Sequence, residues 1–295
     1  METKKEKFPV PQAERLVGNF DDFDSDFYDD SFERGKESEG KGEVISDPEE
    51  VLRRIFEEYS TGTLENELEK TERDIEIIKL ATEAVKKIAA EYGREDFVEL
   101  TNDHIHFFPD GGVEELTNGR LAIGSHATVL GEAYVERGDD LATAITTFHE
   151  LWHMLASHNA IQVKSDGDLG WYRSGFKILS RDGKTKMFHD IDEALVGHAT
   201  KRFVNEVLRE RTDFAEQIQE IETDGGAIDT TRQTELSDFL KFLDTVFERN
   251  SEEFSNREEI LDMFMKVQVT GNLLPVARLV ENTFGKGSFR KLSEF

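Results

Sequence analysis

The chain has no cysteine, no long apolar run and few basic residues for its size. Without cysteine it forms no disulfide and offers no thiolate to a metal, so any metal site must use histidine, aspartate or glutamate. No apolar run approaches the roughly 20 residues of a membrane helix, and residues 1–8 lack the apolar core of a signal peptide. We therefore expect a cytoplasmic protein without membrane contacts, and export by an unconventional route remains open.

Acidic residues outnumber basic ones by 63 to 36, which gives a net charge of −27. A nucleic-acid-binding surface needs a basic patch, and an anionic membrane surface attracts basic segments. The charge balance therefore argues against both partners and weakly favours basic or neutral substrates. A length of 295 residues suffices for one large domain or two small ones with a sizeable core.

The strongest functional signal is a short run of metal-ligating residues, Phe148-His149-Glu150-Leu151-Trp152-His153. Two histidines four apart on a helix project from one face, so both imidazoles can reach one metal ion. Glu150 follows the first histidine directly, where its carboxylate can reach a metal-bound water. Between residues 142 and 157 Glu150 is the only charged residue, which indicates a helix that can be buried.

We divide the sequence into an acidic tail at 1–46, a segment at 47–160 that ends with the motif helix, and a segment at 161–295. After the tail, the pattern predicts a helix from Asp47, a helix at 64–92, and strands at 97–100, 104–108, 121–130 and 133–135. A helix at 141–158 carries the motif, and a loop at 159–170 leads to a hairpin that pairs 171–178 with 184–188. The remaining predicted helices are 191–211, 231–249, 257–269 and 272–284.

The tail contains an unusual stretch, NFDDFDSDFYDD at 19–30, in which aspartates alternate with aromatic residues. Such a composition is typical of a solvated, disordered tail. The alternative is a docking or inhibitory segment that folds back on the chain, with its aromatic rings in a groove and a carboxylate at the metal. Deletion of residues 1–46 would raise activity several-fold only in the second case.

A zinc hydrolase needs a third protein ligand besides His149 and His153. His158 follows His153 by five residues and points away from the pair on a helix. His104 and His106 share one face of a predicted strand, where surface or sheet-packing roles are the simpler interpretation. The richest segment is 188–200, in which acids and histidines lie at the start of a helix.

This order of elements resembles the gluzincin branch of the zincin metallopeptidases, especially the compact minigluzincins. The resemblance covers about residues 64–211 and implies an α+β, zincin-like fold. In that fold a backing helix and a small mixed, mostly antiparallel sheet lie over the motif helix, and a β-hairpin and an all-helical C-terminal subdomain follow. The run Asp192-Glu193-Ala194-Leu195 matches the start of the glutamate helix, which implies one Zn²⁺ held by His149, His153 and Glu193.

The sequence departs from the family pattern at two positions. Asp192 stands where many members have asparagine, and we expect it to point away from the metal, on another face of the helix. Gly197 stands where thermolysin-like members place an aspartate that orients a ligand histidine. Asp190, Asn159 or a backbone carbonyl are the candidates to replace that aspartate.

The resemblance implies a metallopeptidase that hydrolyses peptide bonds with Glu150 as the general base. The tetrahedral oxyanion needs a further donor, for which Tyr172 is the first choice and His198, Arg173 and His189 are alternatives. A strand between 121 and 135 is expected to bind an extended peptide or protein substrate by backbone pairing. The alternative function is a zinc-binding but inactive or regulatory interaction module of the same fold.

Overall fold

A computed structural model of the chain describes residues 44–45, 66–97, 99–116, 123–127, 132–163, 169–179, 185–228, 230 and 232–293. The chain divides into two compact units, residues 1–39 and 40–295, and all described residues belong to the second. The predicted tail segment at 19–30 and the predicted helix from Asp47 lie outside the described residues. The predicted division near residue 160 stays a prediction.

The described residues form an α+β fold, as predicted. The strands are β1 (Val44–Ile45), β2 (Ile105–Phe108), β3 (Gly124–Ala127), β4 (Glu132–Glu136), β5 (Asn159–Val163), β6 (Leu169–Ser174), β7 (Lys177–Leu179) and β8 (Lys186–Met187). The helices are α1 (Glu72–Glu91), α2 (Gly112–Leu116), α3 (Asp140–Leu151), α4 (His189–Glu206), α5 (Thr212–Thr223), α6 (Gln233–Arg249), α7 (Arg257–Thr270), α8 (Leu274–Phe284) and α9 (Ser288–Leu292).

The strands form two small sheets. One has the order β2-β4-β3, with β2 and β4 parallel and β3 antiparallel to β4. The other has the order β1-β5-β6-β7-β8 and is antiparallel throughout. The expectation of mixed, mostly antiparallel sheets is therefore confirmed, and β3 lies at the end of its sheet.

Helix α1 packs against α3, where the sequence predicted a backing helix. It begins at Glu72, not near residue 64, because the backbone N–H of Leu68 donates to the carbonyl of Phe107 (2.7 Å) and holds that segment extended. The helix then starts with a capping box, in which Thr71 and Asp74 satisfy each other's backbone groups.

The motif helix α3 starts where Asp139 caps it by accepting from the N–H of Ala142 (2.8 Å). From Trp152 to Ala156 the backbone widens into a π-helical turn, closed by the N–H of Ser157 donating to the carbonyl of Trp152 (3.0 Å). His153 therefore lies in a widened turn that the periodicity of the sequence did not predict. Such turns inside α-helices occur frequently at functional sites.

Three sequence predictions were wrong. The described residues of the predicted strand at 97–100 are not in a strand, and the predicted loop at 159–170 contains β5. The predicted strand at 171–178 is broken at Gly175, whose φ of +60° turns the chain from β6 into β7. Helix α5 was missed altogether.

Helices α6, α7 and α8 were predicted within a few residues of their ends, whereas α9 was not predicted, and α7 contacts the turn that follows the motif helix. Trp152 is fully buried and donates from its indole N–H to Gln268 on α7 (3.1 Å). Phe148 stacks on Phe203 of α4 with ring centroids 4.4 Å apart. None of the helices in the described part of the chain is long and apolar enough to cross a membrane.

Candidate metal centre

His149 in the last turn of α3, His153 in the widened turn that follows it, and Glu193 near the start of α4 lie close together. Glu193, in the second turn of α4, places its Oε2 3.5 Å from His149 Nε2 and 3.7 Å from His153 Nε2. One donor atom from each residue lies within 4.8 Å of the other two, and all three residues are buried. In the described part of the chain this is the one such group of histidine and acidic residues.

The electrostatics favour the metal-binding protonation states. Burial, and then the neighbouring His126, lowers the pKa of His153 to about 3, so its ring is neutral near neutral pH. Burial opposes ionisation of Glu193, but contacts with His153, His149 and Lys177 hold the pKa of that carboxyl well below its usual range. Metals bind neutral imidazole and ionised carboxylate, so little proton release is needed at these two residues.

The donor geometry fits a small tetrahedral ion. With metal–ligand distances of about 2.0–2.1 Å, neighbouring donors around tetrahedral zinc lie about 3.3 Å apart. The two distances from Glu193 Oε2, 3.5 and 3.7 Å, exceed that value by less than half an ångström. Two nitrogens and one carboxylate oxygen, without sulfur, form a donor set that zinc accepts in hydrolases.

Asp192 lies against the metal centre, which corrects the expectation that it points away. It is fully buried, and its Oδ2 lies 3.5 Å from His153 Nδ1 while Glu193 approaches Nε2 of the same ring. The two nitrogens of an imidazole point in different directions, so neighbouring residues about 100° apart on a helix can each face one of them. Asp192 Oδ1 accepts from Phe176 N–H and Gln268 Nε2, both at 2.9 Å.

Asp192 is thus a carboxylate that faces the second ring nitrogen of His153, at 3.5 Å. A carboxylate behind a ligand histidine fixes the orientation of the ring and the position of its proton. Of the candidates named from the sequence, Asn159 instead donates to the backbone carbonyls of His153 and Met154 (3.0 and 3.2 Å), and Asp190 is exposed. Asn159 therefore supports the widened turn and not the imidazole.

Strand β3 packs directly over Glu150. The Nδ1 of His126 lies 3.1 Å from Glu150 Oε2, and its ring stacks on His153 with centroids 4.3 Å apart. A Cβ at Gly124 would lie 2.7 Å from Glu150 Oε1 and 2.6 Å from Thr146 Cγ2, so only glycine lets the strand approach this closely. Burial raises the pKa of Glu150.

Two cations that the sequence analysis did not single out approach Glu193. Lys177 on β7 is buried, with Nζ 3.8 Å from Glu193 Oε1. Arg232, just before α6, places Nε 3.0 Å from Glu193 Oε2. Lys177 stands between Phe176 and Ile178 in a predicted strand, which is a weak signal. Arg232 gives no sequence signal, because its contact follows from the packing of α6 on α4.

The predicted oxyanion donors are placed as follows. Tyr172 lies on β6, and its side chain is outside the described residues. Burial lowers the pKa of His198 to about 4, and the charges next to it are Arg202, Lys201, Glu206 and Arg257. The roles of Tyr172 and His198 stay predictions.

The other two donor candidates differ in their surroundings. Arg173 is buried and donates to the carbonyls of Gly175 and Gly271 (2.6 and 2.8 Å). The Nδ1 of His189 lies 3.7 Å from Glu193 Oε1, at the edge of the centre.

The remaining histidines lie outside the centre. His106 is buried in its sheet with Nδ1 2.9 Å from Glu67 Oε1, and His104 contacts Thr101. His158 contacts α7, where its backbone N–H donates to Gln268 (2.8 Å). The interpretation of these three as non-ligands agrees with the composition of the metal-binding group.

Comparison with known proteins identifies no relative of the chain. No family model, curated protein or solved structure matches the chain. What the structure supports is a buried His-His-Glu group that can hold a metal ion, in an α+β fold. The likeness to gluzincins rests on the motif residues and their order.

Proposed function

We propose that the protein is a zinc-dependent metallopeptidase of the gluzincin type. The observation that carries the proposal is the convergence of His149, His153 and Glu193 beside a buried Glu150. A hydrolase needs a general base besides its metal site, and the carboxylate of Glu150 can remove a proton from the attacking water. A zinc ion held here would polarise the substrate carbonyl and lower the pKa of water.

The protein's own residues divide the work as follows. Glu150 accepts the proton of the water, and its raised pKa helps it to deliver that proton to the leaving amine. His126 Nδ1–H donates to the ionised Glu150 and keeps its carboxylate in one orientation. The edge of β3, which is the last strand of its sheet among the described residues, offers backbone groups to an extended peptide.

A second candidate is a zinc-binding module without catalytic activity. The observation that favours it is the burial of the centre, since Glu150 and His149 are each only 5% exposed and Glu193 4%. Such a site would bind zinc and leave little room for a substrate. The two candidates therefore agree on zinc and differ on cleavage.

The deciding experiment compares the zinc-loaded wild type with Glu150→Gln on a broad peptide library analysed by mass spectrometry. We expect equal zinc content and a loss of cleavage of about 10²–10⁴-fold in the variant, the usual contribution of a general base. Glu216→Gln, which changes an exposed glutamate on α5, is the matched control and should cleave like the wild type.

Two outcomes would contradict the proposal. A wild type that binds zinc and cleaves no peptide would favour the inactive module. Cleavage by Glu150→Gln at the wild-type rate would show that Glu150 is not the general base.

A further inference from the structure

The two carboxylate oxygens of Glu193 face different neighbours. His149 Nε2 and His153 Nε2 lie 3.5 and 3.7 Å from Oε2. Lys177 Nζ and His189 Nδ1 lie 3.8 and 3.7 Å from Oε1. One oxygen is therefore turned towards the two imidazoles of the metal centre, and the other is turned towards an ammonium group.

The position of Lys177 is fixed by the backbone that carries it. Gly175 and Phe176 form the turn between β6 and β7, and Lys177 is the first residue of β7. The N–H of Phe176 donates to Asp192 Oδ1 (2.9 Å), so two successive residues of the hairpin contact two successive residues of α4. A backbone contact one residue away therefore holds the ammonium beside Glu193.

Lys177 is buried, although lysine is seldom buried without a partner of opposite charge. Its contact with Glu193, at 3.8 Å, is an ion pair that is longer than a hydrogen bond. A buried ion pair is weak evidence of a gain in stability, because apolar residues in its place often do as well. The charge of Lys177 is better explained by its effect on Glu193.

Arg232 acts on the other oxygen of the same carboxylate. Its Nε lies 3.0 Å from Glu193 Oε2, which faces the histidines, and its side chain is 43% exposed. A metal and this guanidinium would share one oxygen, whereas a metal and the ammonium of Lys177 contact different oxygens. The ion pair between Lys177 and Glu193 can therefore persist when a metal is bound.

The number of oxygens that Glu193 offers decides whether the metal keeps an open position. Zinc in a hydrolase has three protein ligands and a water in the fourth position. A carboxylate can bind a metal through one of its oxygens or through both. If Glu193 bound through both, its second oxygen would occupy the position that the water needs.

We propose that Lys177 is a positioning residue of this centre: its ammonium keeps Glu193 Oε1 away from the metal, so that Glu193 binds through Oε2 alone and a position stays open for water. The inference rests on the proposed function and deepens it. In this role Lys177 does not touch the substrate, and it acts through Glu193.

The test replaces zinc by cobalt in the full chain, because Co²⁺ accepts the same ligands and its visible spectrum depends on its coordination number. Four-coordinate cobalt absorbs visible light several-fold more strongly than five- or six-coordinate cobalt. Lys177→Met removes the charge and keeps an unbranched side chain, and Lys177→Arg keeps the charge. Lys79→Met, which changes an exposed lysine on α1, is the matched control.

We expect one cobalt per chain and an intense spectrum in the wild type, in Lys177→Arg and in the control. Lys177→Met should also bind one cobalt, at least as tightly as the wild type because a neighbouring positive charge is gone, and should lose most of the visible absorbance. With zinc bound, its rate of peptide cleavage should fall about 10–100-fold, the usual effect of changing a residue behind a metal ligand.

A weak spectrum in the wild type, which requires no variant, would overturn the inference. So would an intense spectrum in Lys177→Met, or an equal loss of absorbance in Lys177→Arg, which would assign the effect to packing. Lys177→Gln replaces Lys177→Met, with the same expectation, if the latter does not fold. A wild type that binds no cobalt would refute the metal centre itself, whereas the failure of the proposed peptidase is seen in the cleavage assay with Glu150→Gln.

Discussion

Replacement of Gly175 by alanine tests whether Asp192 is held where the structure shows it. Gly175 has φ +60°, and a Cβ there would lie 2.2 Å from Asp192 Oδ1. Asp192 would have to move away from Phe176 N–H and Gln268 Nε2, which donate to that same oxygen at 2.9 Å. The substitution therefore acts on the centre without removing any polar group.

The expected loss of stability has two parts. A left-handed conformation costs an alanine about 1–2 kcal/mol, and each hydrogen bond to a charged group contributes about 1.5–3 kcal/mol. If Asp192 keeps one of the two bonds, the free energy of unfolding should fall by about 3–5 kcal/mol. Urea-induced unfolding, followed by circular dichroism on the metal-free protein, resolves such a change.

Gly225→Ala is the matched control, because Gly225 has φ +76° and no atom within 4 Å of its Cβ position. It should lose only the conformational part, about 1–2 kcal/mol. Zinc affinity should fall about 10–100-fold in Gly175→Ala, since Asp192 no longer orients His153, and should stay constant in the control. Equal losses of stability in the two variants would refute the packing of Asp192 against Gly175.

Two further predictions concern histidines. Asparagine can place an N–H where His126 has Nδ1, whereas phenylalanine keeps the ring that stacks on His153 and loses the donor. We therefore expect His126→Asn to retain most of kcat, and His126→Phe to lower kcat with KM and zinc content unchanged. Equal kcat values for the two variants would contradict the role of His126 as a hydrogen-bond donor to Glu150. Burial, and then Arg173 and Arg94, lowers the pKa of His158 to about 3. The unfolded state therefore binds the extra proton below about pH 6.5, so stability is lost as pH falls, by about 2 kcal/mol at pH 5. His158→Gln should flatten the dependence of the unfolding free energy on pH between 7 and 5, and an unchanged slope would refute the assignment.

The parts of the fold that sequence periodicity predicts are those whose signal is local. Helices α6, α7 and α8 each carry apolar residues at helical spacing over three or more turns, and their ends were close to the predicted ones. Strand β5 has no such signal, because it became a strand by pairing with β6. The break at Gly175 depends on one φ angle that an apolar pattern does not reveal.

The candidate site was predictable to the same extent. His149 and His153 follow from helical spacing, and Glu193 followed from a family resemblance and was then found beside them. His126 and Asp192 come from packing between segments distant in sequence, and no spacing rule marks them. The prediction that Asp192 points away from the metal centre was wrong because it considered α4 by itself and not the imidazole of His153, which lies opposite Asp192.

Zinc stoichiometry tests the central claim most directly. The purified chain is stripped with a chelator, reloaded and dialysed, and zinc is counted by mass spectrometry for the wild type, His149→Ala, Glu193→Gln and the control His104→Ala, a histidine outside the centre. We predict one zinc per chain in the wild type and the control, and loss of zinc in the other two. A wild type without zinc, or full retention in His149→Ala, would contradict the account.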